Sequence, residues 1–184
     1  MAESYLFSLP RKTSLAREQL KPLNFDLDDQ ADLAIRRILA FLQMDEGMEF
    51  VAEFLKKFPD HPFAPRIVFQ QGRAYQRTNE PGKAYQTYES FLATYPEDPL
   101  MEVARMQSAI SALATGTDAS KADALKRFEE LIATKGVLAT EAAILRTRLL
   151  IDQAKQDNAL DAVKEILEKK NLTSIHRWRT LVLQ

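Results

Sequence analysis

The sequence predicts an all-α protein built as a helical solenoid, and three observations carry that prediction. The stretches Phe54–Pro62 (FLKKFPDHP) and Phe91–Pro99 (FLATYPEDP) are near copies of each other, both F-L-x-x-[F/Y]-P-[D/E]-x-P, and lie 37 residues apart. A fixed period of this size is what a stack of helix pairs leaves in a sequence, each unit burying its apolar face against its neighbours. The composition favours helix: only 5 of 184 residues are glycine, and Ala, Leu, Glu, Lys, Gln and Arg dominate. No alternating β-branched run of useful length is present.

The elements follow in order. A short helix is expected near 13–20, then helix pairs at about 28–58, 62–95, 98–135 and 138–170, and a last helix over about 174–184. The acidic run Asp26, Asp28, Asp29 and Asp32 opens the first pair, where a helix N-terminus attracts carboxylates; it lacks the glycine and closing glutamate of a calcium loop. Pro59, Pro62, Pro96 and Pro99 stop one helix and start the next, with Asp98 as an N-cap before Pro99 and His61 as a poorer cap before Pro62. Thr78–Gly82 supplies the turn inside the second pair. In the third pair, the loop Thr115–Ser120 is longer, and Ser120 with Asp123 three residues on predicts a capping-box start for its second helix. The fourth pair alternates as a helix should but admits two registers, through Ala159 or Ala162. Ser174–Leu183 reads as a helix with Ile175, Trp178, Leu181 and Val182 on one side. No linker divides the chain, so a single domain over 1–184 is expected.

Gly72, Tyr75, Ala84, Tyr88 and Pro96 stand at the spacing of a known helix–turn–helix consensus, with Gln71 where leucine is usual. On these residues the chain resembles the tetratricopeptide repeat (TPR) family. The small Gly72 and Ala84 let two antiparallel helices approach, and Tyr75 and Tyr88 fill the space beside that contact. The positions equivalent to Ala84 are Gly47, Ala124 and either Ala159 or Ala162, giving spacings of 37, 40 and 35 or 38. The resemblance implies a right-handed α-α superhelix of about four helix pairs plus a terminal helix. Among family branches, the F-P-D-x-P and Y-P-E-D-P junctions most resemble bacterial cell-envelope members, of the outer-membrane-assembly lipoprotein and Tol-system coordinator type.

Bulk properties narrow the function. The net charge is -1 and the pI about 6.2, which gives no reason to expect nucleic acid or an anionic membrane as partner. There are no cysteines, so disulfides, thiolate metal sites and cysteine nucleophiles are all excluded. No apolar run is long enough for a membrane span or an intact signal peptide, so a soluble chain is expected, and the sequence does not choose between the cytoplasm and, if a signal has been removed, the periplasm. There is no phosphate loop, no G-x-G-x-x-G, no G-x-S-x-G and no H-E-x-x-H. His61 and His176 are far apart and neither has a carboxylate at metal-ligand spacing on its own helix. No catalytic residue, metal or cofactor is therefore assigned.

One cationic constellation stands out. Arg66, Arg73 and Arg77 are spaced i, i+7, i+11, and at about 100° per residue they fall within roughly 40° of one another. Phe69 and Gln76 border this stripe, while Val68, Gly72 and Tyr75 point the opposite way into the core. The resemblance implies that the first helix of each unit lines a concave groove. It places Arg66, Phe69, Arg73, Gln76 and Arg77 there, with Asp29, Asp32 and Arg36 in the first unit and Val103, Met106, Ile110 and Leu113 in the third. Arginine forks beside an aromatic suit a peptide bearing carboxylates, and Met106 and Ile110 suit an apolar segment. The expected function is a non-enzymatic scaffold that binds a protein or peptide segment. A structural subunit of a bacterial envelope assembly and a regulatory arm of a larger enzyme are the alternatives. The apolar side of the last helix further predicts either that more protein follows or that a second copy packs there as a homodimer.

Overall fold

The computed structural model describes residues 48–169 and 172–183. Among them, the regular structure is helical throughout: α1 Met48–Lys57, α2 Ala64–Arg77, α3 Pro81–Thr94, α4 Met101–Thr115, α5 Asp118–Ala133, α6 Ala139–Asp152, α7 Gln156–Leu167 and α8 Ser174–Leu181. The predicted pairs reappear as α2–α3, α4–α5 and α6–α7, and α8 is the terminal helix. α1 is the second helix of the first pair. That pair's first helix, the helix expected near 13–20, the acidic run, Arg36 and Gly47 lie outside the described residues.

The two copied junctions fold alike. Phe58 N–H donates to the Phe54 carbonyl at 2.8 Å and Tyr95 N–H to Phe91 at 2.9 Å; Ala64 N–H donates to His61 at 2.8 Å and Met101 N–H to Asp98 at 2.9 Å. The rings of Phe54 and Phe58 sit 5.3 Å apart and those of Phe91 and Tyr95 5.4 Å. Asp98 and His61 are not the helix caps expected of them. The Asp98 carboxylate accepts the Leu100 N–H at 2.8 Å, and His61 Nδ1 accepts the Phe63 N–H at 3.1 Å. Each side chain therefore closes a turn on its own backbone two residues on, and the helix begins later than the cap would have set it. His61 is also a ring in an aromatic cluster, edge-on to Phe54 at 5.6 Å.

The turns inside the pairs repeat as well. Asn79 and Ala154 both adopt the left-handed conformation, at φ 58° and 56°. Behind them Glu80 N–H reaches the Tyr75 carbonyl and Lys155 N–H the Leu150 carbonyl, at 2.8 and 2.9 Å. Both ends are Schellman motifs, which satisfy the last helical carbonyls. This fixes the fourth register: Ala84 is five residues past Asn79, and Ala159 is five past Ala154, so Ala159 is the equivalent position.

With that register, the second helix of each pair buries the same triad at i, i+4, i+7. It comprises Ala84, Tyr88 and Phe91; Ala124, Phe128 and Leu131; and Ala159, Val163 and Ile166, with none above 4% exposure. Val51 and Phe54 of α1 continue the series. A stripe of this spacing is what turns a surface helix inward, each large member contributing about 1.5–3 kcal/mol by burial. The start of α5 differs from expectation. Thr117 is the N-cap, its hydroxyl accepting the Ser120 N–H at 3.1 Å, and Asp123 pairs with Arg127 at 2.9 Å instead of serving a capping box.

The chain divides into two compact units, Met1–Thr87 and Tyr88–Gln184, the division falling inside α3. In the first, α1 packs on α2, and Val51, Phe54, Ala64, Ile67, Val68, Phe69, Ala74 and Ala84 are buried. Tyr75 is only half-buried, and Lys83 Nζ lies 5.5 Å from its ring centre, so it is not the core side chain its place in the consensus implied. In the second unit each helix from α4 to α8 packs on the next, and α8 also rests on α6. The close approach of α4 rests on small buried residues, Ala104, Ser108, Ala109, Ser111 and Ala112.

Candidate binding surface

Helix α2 carries Arg66, Arg73 and Arg77 and no acidic residue (APRIVFQQGRAYQR). All three arginines are exposed, while Ile67, Val68, Gly72 and Ala74 are buried on the other side. The helix forms because one apolar side is anchored and Pro65 in its first turn costs no hydrogen bond. The result is a helix whose outward face carries the exposed guanidinium groups of Arg66 and Arg73, with Arg77 beside them. The planar fork of an arginine matches a carboxylate.

The remaining predicted contacts fall differently. Gln76 and Ile110 are half-buried. Phe69 and Met106 are 7% and 4% exposed, so both are buried and offer a ligand little surface. The repeat explains this: counted from the helix starts Ala64, Met101 and Ala139, Phe69, Met106 and the buried Ile144 are equivalent positions. Each sits two residues after a deeply buried one (Ile67, Ala104, Ala142), so the helix turns it toward the neighbouring packing seam. Of the apolar third-unit positions, Val103 is exposed and Leu113 half-buried.

A polar cluster in the second unit was not anticipated. Arg127, 14% exposed, donates to Glu89 Oε2 at 2.6 Å and to Asp123 at 2.9 Å, and Ser108 donates to Glu89 Oε1 at 2.7 Å. It ties α3, α4 and α5 through one guanidinium with paired acceptors, a structural latch. Its signal in the sequence was Glu89 and Ser108 on otherwise apolar helix faces. Farther on, Glu141 holds α8 to α6 by accepting Arg179 at 2.5 Å, with His176 Nε2 at 3.7 Å. At the α2–α3 turn, hydrogen bonds from Lys83 and then Thr78 hold the Glu80 carboxyl below its usual range, and Glu80 in turn raises Lys83.

Among the described residues no group of three or more His, Cys, Asp or Glu is placed to hold a metal ion, and no helix is long and apolar enough to cross a membrane.

No protein-family model and no curated protein matches the chain. Solved structures do. The apo form of RapI superposes with a TM-score of 0.69 at 15% identity, over 98% of this chain and 54% of RapI, so the chain spans about half of that protein. The nearly identical TPR-like repeats of the Podosopora anserina protein named for the kinesin light chain superpose with a TM-score of 0.66 at 15% identity, over 93% of this chain and 94% of theirs. A single-substitution form of those repeats gives 0.64 at 15% identity, over 90% and 89%. The helix-pair architecture, the repeated turns and these superpositions together show a TPR-like helical-repeat fold.

Proposed function

We propose that the chain is a non-enzymatic protein-interaction scaffold whose α2 arginine face binds an acidic peptide or protein segment. The observation that carries this reading is the exposed Arg66 and Arg73 on a helix with no carboxylate of its own. A solvated helix face ordinarily mixes both signs, as α5 and α7 do here. A one-signed face instead steers and orients an oppositely charged partner. The repeat fold supports the reading, since stacked helix pairs present long surfaces suited to extended or helical ligands. The junction sequences support a finer placement among bacterial envelope scaffolds, which a lipobox upstream in the parent reading frame would strengthen.

The test is affinity capture with the parent and with Arg66→Glu/Arg73→Glu. Both side chains are exposed, so far-ultraviolet circular dichroism and melting should be unchanged while the captured partner is lost. A folded double variant that retains the partner undiminished refutes the proposal.

A further inference from the structure

α8 presents an apolar stripe of its own. Ile175, Trp178 and Val182 are each about two-thirds exposed and Leu181 is 48% exposed. At 100° per residue the four fall within an arc of about 120°. The rest of α8 is already engaged: Thr180, on the opposite side, is buried, and Arg179, at the edge of the stripe, is bound to Glu141 of α6. Immediately past the helix, Leu183 forms one wall of a pocket of about 300 Å³ whose other walls include Ile151, Leu160 and Val163, with Asp157 at its rim. Ile151 and Leu160, at 37% and 49% exposure, are apolar side chains open to that pocket.

The two surfaces complement each other in charge as well as in character. α8 carries the exposed Arg177 and no acidic residue, its Arg179 being already paired with Glu141. α7, which floors the pocket, carries Asp157, Asp161 and Glu165 against the single Lys164. Arg177 and Asp157 are both exposed. Donor stripe and acceptor pocket are contiguous through Leu183, so a two-fold axis between two molecules lets each place its α8 stripe in the other's pocket, making the same contact twice.

We infer that this end of the molecule binds a second copy of the same chain, with Trp178 of one copy seated in the Ile151–Leu160–Val163 pocket of the other and Arg177 facing Asp157. A buried tryptophan at the centre of an apolar contact with charged groups at its edge is the arrangement that concentrates association energy. The contact is independent of the arginine face on α2.

Sedimentation velocity over a wide concentration range, on the full chain, reads the outcome. The parent should dimerise, and Trp178→Glu and Leu160→Arg should each weaken association by about thirtyfold or more. Both positions are exposed, and circular dichroism verifies that the variants fold. Mixing the two variants should restore part of the association, because the intact α8 of Leu160→Arg still meets the intact pocket of Trp178→Glu. A photo-crosslinking residue at 178 should label α7 of the other copy. A parent that stays monomeric throughout, a dimer indifferent to either variant, a mixture that does not re-associate, or crosslinks from position 178 into residues 1–47 of its own chain would each overturn the inference.

Discussion

Phe128 offers the most demanding test of the repeat register. It is fully buried, at the middle of the α5 triad, and equivalent to Val51, Tyr88 and Val163. Phe128→Ala removes the whole ring from a helix seated between α4 and α6. The neighbouring helices are held in place by their own buried side chains and cannot simply close the gap. Truncations of this kind cost about 3–5 kcal/mol, the transfer term plus the cavity. At about 2–4 °C per kcal/mol for a chain of this size, the melting temperature should fall by about 6–20 °C. Val163→Ala, at the same place in the next pair, removes two methyl groups and should cost about 1.5–3 kcal/mol at most. Lys126→Ala, exposed two residues away, should stay within about 0.5 kcal/mol of the parent. Urea titrations followed by circular dichroism give all three values. A Phe128→Ala loss below that of Val163→Ala would refute the register, because at equivalent buried positions removing the larger side chain must cost more.

Other substitutions probe the remaining devices. Tyr75→Ala should cost clearly less than Phe128→Ala, about 1–2 kcal/mol by urea titration, because Tyr75 stays partly exposed where Phe128 is fully buried. Ala154→Gly should stabilise by up to about 1 kcal/mol by relieving the left-handed alanine of the α6 C-terminus, whereas Gly116→Ala (φ 79°) should destabilise by a similar amount; thermal melts compare them. A β-carbon at Gly136 would collide with Glu102 Oε1, a buried oxygen without a hydrogen-bond partner, so Gly136→Ala must displace that carboxylate. Its cost should disappear in a Glu102→Ala background, which a double-mutant cycle measures. The Glu80 carboxyl is depressed by Lys83 and Thr78, so its contribution to the turn exists above the ordinary carboxylate range and is lost as pH falls through the lowered value. An NMR titration of Glu80 should therefore move back toward the ordinary range in Lys83→Met.

The helical-repeat class was legible because it rests on features that local chemistry enforces: proline punctuation, the copied junction and the small-then-aromatic spacing. Caps were less legible. Asp98 and Thr117 both have cap-competent side chains, yet one closes a turn and the other caps a helix, and only the backbone path decides between them. The Ala159 register could not be chosen from the sequence since Ala162 is buried too; the left-handed Ala154 that settles it is a residue type that gives no warning of φ > 0. Within the candidate surface, Arg66, Arg73 and Arg77 are exposed, whereas Phe69 and Met106 are buried, because an apolar residue at the border of a helical stripe is claimed by whatever packs there, and one helix's period does not report its neighbours.

The claim that the α2 face recognises acidic segments is tested most directly by selecting peptides from a random display library on the immobilised chain. The enriched peptides should be rich in Asp and Glu, their binding should weaken as salt is raised, and selection on Arg66→Glu/Arg73→Glu should lose that enrichment. Enrichment of purely apolar or basic peptides, or acidic peptides that bind the double variant equally well, would contradict it.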